Sequence, residues 1–203
     1  MRKLIVLTFI SLDSVMQAPG GPQEDTSGGF AFGGWTAGYF DGFMGKVMAE
    51  QMGHPFDLLL GRTTYDLFAA FWPHAGDDQE PVRSGINKAK KYVVSHRPLN
   101  SDWEGSALLE GDIVAAVQKL KAQDGPELQV HGSSQLVQTL LKNDLVDELW
   151  LKTFPVTLGG GKRLFGEGTM PAGFKLLDCQ ASPSGVIVAS YARDGAIKVG
   201  SMV

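Results

Sequence analysis

The sequence lacks the features that mark secreted, membrane-spanning and nucleic-acid-binding proteins. It contains a single cysteine, Cys179, which excludes an internal disulfide. Its longest apolar opening, residues 4–10, is too short to span a bilayer. The net charge of −4 creates no positive field that would attract nucleic acid or a membrane surface. We therefore expect a cytoplasmic protein without membrane or nucleic-acid partners, in which Cys179 is a small core residue.

Motifs for metal binding and nucleophilic catalysis are also missing. The four histidines are scattered without ligand spacing, so no metal site is predicted and each is expected at the surface or in a cap. No serine or cysteine has a recognisable base partner. The zinc signatures H-x-E and C-x-x-C of nucleobase deaminases do not occur. A G-x-G-x-x-G motif does not follow the first predicted strand, which argues against an ordinary Rossmann site.

Strand-like and helix-like segments alternate along most of the 203 residues, which is typical of one α/β domain. Apolar runs predict strands at residues 3–12, 56–60, 91–95, 106–109, 127–131 and 147–154. Helical spacing predicts helices at residues 38–52, 63–71, 113–120 and 133–142. Residues 174–182 and 185–193 flank Pro183 as a β-hairpin. We expect a mostly parallel sheet with an antiparallel edge, one domain over residues 1–193, and a tail at 194–203.

Three predicted strand ends carry residues that suit phosphate groups. They are Gly61, Arg62, Thr63 and Thr64; Ser95, His96 and Arg97; and Gly132, Ser133, Ser134 and Gln135. Ligands of open α/β sheets bind at the carboxyl ends of strands, and helix N-termini offer free N–H groups with partial positive charge. A ligand with separated phosphates fits three such ends. A dinucleotide with an extra ribose phosphate, which needs a guanidinium and hydroxyl donors, indicates NADPH more than NADH.

Helix capping explains several of the same residues without a ligand. Thr63 or Thr64 could accept a hydrogen bond from a backbone N–H, and Ser133 could cap its own helix. Ser95 and Arg97 could belong to a solvated loop. The three ends together favour an anion site, with capping as part of its construction.

Five segments carry a resemblance to a known family. They are SLDSVMQAPGG, GRTTYDLF, KKYVVSHRPL, ELQVHGSSQLVQTLLKNDLVDELWL and PVTLGGGKRLF. Their order and spacing resemble the dihydrofolate-reductase-like superfamily, and most closely the branch that contains the reductase domain of bacterial riboflavin biosynthesis. The resemblance covers about residues 3–193 and implies a three-layer α/β/α fold, NADPH as cofactor and a homodimer. One departure is Ser14, which stands where relatives commonly have glycine.

The resemblance also implies roles for single positions. Gly61, Arg62 and Thr64 are expected at the cofactor phosphates, and Ser95 and Arg97 near the ribose phosphate. The turn of Gly132, Ser133 and Ser134 is expected at the pyrophosphate. The expected neighbours of the nicotinamide or substrate are Trp35, Phe154, Pro155, Gly159 and Gly160.

Each of the candidate catalytic and substrate residues has two possible interpretations. Folate reductases carry a carboxylate on the helix after the glycine-rich loop, where this chain has Asp41. Asp41 could donate a proton, or it could be a solvated carboxylate that the helix dipole stabilises, which we favour. Asp13 could bind the substrate or fix its loop by an Asx turn. Trp35 could cover the pocket or anchor the loop.

These observations lead to one main hypothesis and one alternative. The main hypothesis is an NADPH-dependent reductase of a small heterocyclic or carbonyl substrate, resembling 5-amino-6-(5-phosphoribosylamino)uracil reductase or dihydrofolate reductase. The cofactor carries the difficult chemistry of hydride transfer, so the protein must supply alignment and a proton. The alternative is a catalytically inactive protein that retains the fold and binds NADP(H) or another nucleotide.

Overall fold

The computed structural model of the chain describes residues 1–100 and 102–201. Its strands are β1 Leu4–Ser11, β2 Phe56–Gly61, β3 Lys91–Val94, β4 Ser106–Leu109, β5 Glu127–Val130, β6 Glu148–Phe154, β7 Phe174–Ala181 and β8 Ile187–Arg193. Its α-helices are α1 Gly42–Met52, α2 Arg62–Phe71, α3 Val82–Lys88, α4 Ile113–Ala122 and α5 Ser134–Lys142.

The eight strands form one sheet in the order β4-β3-β2-β5-β1-β6-β8-β7. Strands β1 to β6 pair in parallel with their neighbours. Strand β8 pairs antiparallel with β6 and β7, which confirms the predicted mostly parallel sheet and C-terminal hairpin. Because β3, β2 and β5 are neighbours, the three turns that follow them lie at the same edge of the sheet.

Apolar side chains cover both faces of the sheet, which gives three layers. On one face Leu4 belongs to a cluster that includes Val117 of α4 and Leu140 of α5. On the other face Ile5 belongs to a cluster that includes Ile86 of α3 and residues of α1 and α2. Strand β2 is buried at all six positions, as expected for a central parallel strand. In the described part of the chain no helix is both long and apolar enough to cross a membrane.

Two helices differ from the sequence prediction for identifiable reasons. Helix α1 begins at Gly42, later than predicted, because residues 37–39 form a separate 3-10 turn and Asp41 is the N-cap. Helix α3 is not predicted at all, since it has seven residues of which Ile86 alone is buried. It also contains Gly85, where a Cβ atom would lie 2.7 Å from the carbonyl oxygen of Met52.

The prediction that Cys179 lies in the core is wrong. Cys179 is exposed on β7, the strand at the edge of the sheet. Seven of the eight residues of β7 are exposed, so its apolar sequence does not reflect burial in one copy of the chain. Leu176 and Leu177 of this strand are each 51% exposed. The homodimer expected from the resemblance stays a prediction.

An ion pair between Arg2 and Asp57 joins the start of β1 to β2. Both residues are buried, at 5% and 7% exposure. The Arg2 Nε also donates to the carbonyl oxygen of Pro126 at 2.6 Å, and Asp57 accepts from the backbone N–H of Lys90 at 3.3 Å. The pair and these two hydrogen bonds therefore connect four strands, β1, β2, β3 and β5, where they begin.

We expect Asp57→Ala to destabilise the fold by about 3–5 kcal/mol, because it leaves the buried Arg2 guanidinium without its counter-charge. Urea unfolding measures this loss. The matched control is Asp144→Asn, which removes an exposed partner of Arg193 and should shift the midpoint little. Equal midpoints for Asp57→Ala and the wild type would contradict the prediction.

Candidate functional site

The turns after β2 and β5 touch each other at the carboxyl edge of the sheet. The backbone N–H of Gly61 donates to the carbonyl oxygen of Gly132 at 3.1 Å. A Cβ atom on Gly61 would lie 2.2 Å from Ser133 Oγ, and one on Gly132 would lie 2.6 Å from Thr64 Oγ1. Gly132 also has a φ of +151°, which disfavours other residues. The two glycines are therefore required by contact between the turns themselves.

Helices α2 and α5 both begin at this contact without a side-chain cap. Gly61 is the N-cap of α2, which places Thr63 and Thr64 inside the first turn. Ser133 is the N-cap of α5, and its hydroxyl makes no capping hydrogen bond within the described residues. The prediction that these hydroxyls cap the two helices, made both as an alternative to an anion site and as part of its construction, is therefore wrong for the described residues. Two helix N-termini with partial positive charge thus meet at one point of the edge.

Arg62 connects the start of α2 to the turn after β3. Its Nη1 donates to the carbonyl oxygens of Pro98 at 2.7 Å and Arg97 at 3.3 Å, while its Nε donates to Asp66 at 2.8 Å. The Ser95 hydroxyl is buried inside the same turn, where it donates to the Arg97 carbonyl and accepts from the Arg97 N–H. Arg62 and Ser95 therefore hold the shape of the turn.

Two basic side chains of this turn point outward. His96 and Arg97 are both exposed, and across residues 1–100 and 102–201 no hydrogen bond of the Arg97 guanidinium is found. Ser134 and Gln135 are the first two residues of α5, which begins after the turn that follows β5. The edge thus combines two helix N-termini with a guanidinium that has room for a ligand.

Asp13 fixes two loops to each other beyond the ends of β1 and β6. Its carboxylate accepts from the backbone N–H groups of Leu158 at 3.0 Å and Gly159 at 2.8 Å, and from the Ser11 hydroxyl at 2.6 Å. The Ser11 hydroxyl, followed by these two N–H groups, lowers the pKa of Asp13 to about 2. The adjacent Ser14 has a φ of +65°, the conformation that glycine adopts readily. The structure gives Asp13 a role in positioning the loop that contains Gly159.

Aromatic side chains pack the long loop against the end of β6. Trp35 lies edge-on to Phe154 with ring centroids 5.3 Å apart, and its indole N–H donates to the carbonyl oxygen of Gln17 at 2.8 Å. Phe154 is completely buried, whereas Pro155 after it is exposed. Trp35 therefore anchors the loop, and Phe154 belongs to the core beneath it.

A cleft of about 420 Å³ opens between the two loops that Asp13 and Trp35 secure. It is lined by residues 27–32 of the long loop, by Gln17, and by Leu158 and residues 160–162 of the loop after β6. Phe30 and Phe32 pack edge-on there, 5.9 Å apart. The cleft has the dimensions and the partly aromatic wall of a small-molecule site.

Asp41 caps α1 from outside the sheet. Its carboxylate accepts from the N–H of Met44 at 2.9 Å and from the N–H of Ser184 at 3.3 Å. The Met44 N–H is the main cause that lowers the pKa of Asp41. A carboxylate in this state is a weak source of protons at neutral pH.

A buried polar chain, which the sequence analysis missed, lies between α1 and the sheet. The Gln129 amide donates to Glu127 and to the Gln51 carbonyl oxygen, both at 2.9 Å. His131 Nε2 lies 3.2 Å from Gln129 Oε1. Lys152 Nζ donates to Gln51 Oε1. Burial, with a smaller contribution from Lys152, lowers the pKa of His131 to about 3, and burial lowers the pKa of Lys152 to about 7.

Comparison with known proteins matches residues 2–188 to the model of the RibD C-terminal domain. The chain belongs to this family. It is 30% identical over 140 residues to the uncharacterized protein YyaP of Bacillus subtilis (strain 168), covering 68% of this chain and 74% of that protein.

Solved structures show that this RibD C-terminal domain has the dihydrofolate-reductase-like fold. A putative riboflavin biosynthesis protein from Shewanella sp. PV-4 is 23% identical with a TM-score of 0.68, covering 95% of this chain and 99% of that chain. Dihydrofolate reductase from Enterococcus faecalis, complexed with NADP(H), is 12% identical with a TM-score of 0.58 over 95% and 96%. At these identities the likeness is one of fold.

We expect Gly61→Ala in this RibD C-terminal domain to cost about 1–3 kcal/mol, because its methyl group overlaps Ser133 and the two turns must separate. Chemical denaturation measures the loss. The control is Gly45→Ala inside α1, where no atom lies within 4 Å of the added Cβ and the helix should gain up to about 1 kcal/mol. A Gly61→Ala protein as stable as the wild type would refute the contact.

We expect the buried Lys152 amine to make stability rise with pH. Its pKa is lowered from 10.5 to about 7, so the unfolded chain binds more protons between these values. The wild type should therefore gain about 1 kcal/mol per pH unit relative to Lys152→Met as the pH rises through this window.

The measurement is the urea unfolding free energy at several pH values for each protein. Lys91, whose pKa burial lowers to about 8, is present in both proteins and cancels in their difference. The exposed Lys142→Met serves as control and should give a difference that does not change with pH. A flat difference for Lys152→Met as well would show that its amine is not desolvated.

Proposed function

We propose that the protein is an NADPH-dependent reductase of a small heterocyclic or carbonyl substrate. The observation that carries this proposal is the meeting of two uncapped helix N-termini beside the exposed guanidinium of Arg97. Helix N-termini stabilise phosphate groups, and a guanidinium binds the additional ribose phosphate that distinguishes NADPH from NADH. The NADP(H) complex of a reductase with this fold supports the same choice of cofactor.

The residues present fit such a cofactor. The N–H groups at Thr63, Thr64 and Ser134 would hold the pyrophosphate, where Gly61 and Gly132 keep the two turns in contact. Arg97 and His96 would bind the ribose phosphate from the neighbouring turn. The bound nicotinamide would supply hydride to the substrate.

The rest of the chain would orient the substrate and exclude water. Asp13 holds Leu158 and Gly159, and Trp35 holds the long loop, so both walls of the cleft are fixed. We propose a planar heterocycle as substrate, because Phe30 and Phe32 form part of the wall. A pyrimidine such as 5-amino-6-(5-phosphoribosylamino)uracil is the candidate that the family suggests.

The second candidate is an inactive protein that retains the fold and binds NADP(H). One observation favours it: both carboxylates that the sequence offers as catalytic candidates, Asp13 and Asp41, are engaged in structural hydrogen bonds that lower their pKa. The two candidates differ in turnover. Loss of NADPH absorbance with 5-amino-6-(5-phosphoribosylamino)uracil or dihydrofolate would establish the reductase, whereas NADPH binding without oxidation of either would favour the inactive protein.

We expect Arg97→Ala to weaken NADPH binding by about tenfold to a hundredfold and to leave NADH nearly unchanged, because NADH lacks the phosphate that the guanidinium would bind. Quenching of the four tryptophans measures both affinities.

The matched control is Arg83→Ala, since Arg83 lies on α3 and pairs with Asp77 and Glu80. It should bind both cofactors like the wild type. If Arg97→Ala lost the same affinity for NADPH and NADH, the ribose phosphate could not be bound by this turn. No binding of either cofactor by the wild type would end the proposal.

A further inference from the structure

Lys152 carries a buried amine with unused hydrogen-bonding capacity. The residue is 0% exposed, and in the described part of the chain Gln51 Oε1 is the one acceptor found for its Nζ. A protonated lysine has three N–H donors, so a buried ammonium with one acceptor is costly. Lys91, the other completely buried lysine, donates instead to two backbone carbonyl oxygens, those of Asn87 and Glu104. The environment of Lys152 is thus incomplete in a way that Lys91 is not.

The rings of Phe9 and Phe40 lie in succession beside the amine, and the second ring is the more exposed. The Nζ lies 5.8 Å from the ring centroid of Phe9, which is the register partner of Lys152 on β1. Phe9 is partly exposed and lies edge-on to Phe40 at 5.7 Å. Phe40 is 47% exposed, in the segment between the long loop and α1. A planar ligand that takes the place of Phe40 would contact Phe9, the ring that lies beside the amine.

Among the groups packed around Lys152, its own amine is the one whose pKa lies near neutral pH. Strand β1 contributes Phe9, helix α1 contributes Gln51, and strand β8 contributes Val188 as its register partner. The residue that follows β5 is His131, whose low pKa keeps the ring neutral above about pH 3. A positive charge on Lys152 therefore has no carboxylate beside it among these neighbours.

Other acids near the loops are less suited to deliver a proton. Asp13 and Asp41 are held ionised by their hydrogen bonds. Burial raises the pKa of Glu24, but this side chain lies in the long loop and accepts from the N–H groups of Gly20 and Gly21.

We propose that Lys152 is the catalytic acid of the reductase, and that a carbonyl oxygen or imine nitrogen of the substrate accepts a hydrogen bond from its Nζ beside Phe9. This inference rests on the function proposed above and assigns the proton to Lys152 and not to Asp41. Phe9 and Lys152 do not line the cleft described above, so the reacting group of the substrate would lie at Phe9, outside the part of the cleft that Phe30 and Phe32 line. A general acid works best when its pKa is close to the working pH, and Lys152, at about 7, meets that condition.

The proposed step balances in atoms and charge. The carbon of the substrate C=O or C=N bond receives hydride from the reduced nicotinamide, and the electrons of the π bond move to the oxygen or nitrogen. That atom takes a proton from the Lys152 ammonium, so one N–H bond breaks and one O–H or N–H bond forms. Lys152 is left as a neutral amine, which solvent protonates again, and the cofactor leaves oxidised.

The first test observes the amine directly. In protein labelled with ¹³C at the lysine ε-carbons, one signal should titrate near pH 7 and be missing from Lys152→Met. Adding 5,6-diaminouracil, a planar carbonyl-bearing probe, to protein saturated with NADP⁺ should shift this signal. A Lys152 signal that titrates near the ordinary lysine value of 10.5, or that ignores the probe, would overturn the proposal.

The second test compares two buried lysines. Methionine is unbranched like lysine, is only one atom shorter and needs no hydrogen bond, so Lys152→Met should fold. We expect it to bind NADPH like the wild type and to lower kcat for 5-amino-6-(5-phosphoribosylamino)uracil or dihydrofolate by about a hundredfold or more. Lys91→Met, the control, should keep the wild-type kcat. The wild-type kcat should also fall as the pH rises above about 7, and this dependence should disappear in Lys152→Met.

The outcomes separate the two proposals. If the wild type does not bind NADPH, both the proposed reductase function and the role of Lys152 are refuted. If Lys152→Met binds NADPH and turns over substrate like the wild type, only the role of Lys152 is refuted.

Discussion

The contact between the turns after β2 and β5 constrains the whole carboxyl edge of the sheet. A methyl group on Gly61 would meet Ser133, and one on Gly132 would meet Thr64, so neither turn can move without the other. The start of α2 is thereby aligned with the start of α5. Arg62 extends the same constraint to the next turn through the carbonyl oxygens of residues 97 and 98. The anion site that we propose here would be formed by the backbone, and side chains would adjust its selectivity.

A different constraint acts beneath α1, where polar side chains are buried. Apolar side chains would fill the same space at a lower free-energy cost. The apolar residues on this side of the sheet form two separate clusters. Lys152 lies against Phe9 of one cluster, and its partner Gln51 precedes Met52 of the other. Because the main-chain carbonyl of Gln51 also accepts from Gln129, the polar chain is built into the helix. Such an arrangement reduces stability near neutral pH, which is compatible with selection for reactivity.

The sequence allows the order of most elements and the mostly parallel sheet to be predicted, because these depend on local pattern. Roles that depend on distant partners are not accessible in the same way. Asp13 acts on Leu158 and Gly159, and Asp41 accepts from Ser184, contacts that only the folded chain reveals. The exposure of Cys179 was mispredicted for a related reason, since an apolar run does not show that its strand lies at an edge.

The buried polar chain shows where pattern reasoning misleads. Strand β5 and the residue after it place Glu127, Gln129 and His131 on alternate positions, and β6 places Glu148 and Lys152 on one face with Trp150 between them. Polar residues at every second position ordinarily predict a solvent-facing side. Here β5 and β6 are the two neighbours of β1, so both polar rows face the same layer and α1 covers them. The buried polar chain can be recognised only when polar residues on both β5 and β6 are considered together, because these strands flank β1. This step requires the strand order, and with that order known Lys152 becomes a candidate for a chemical role.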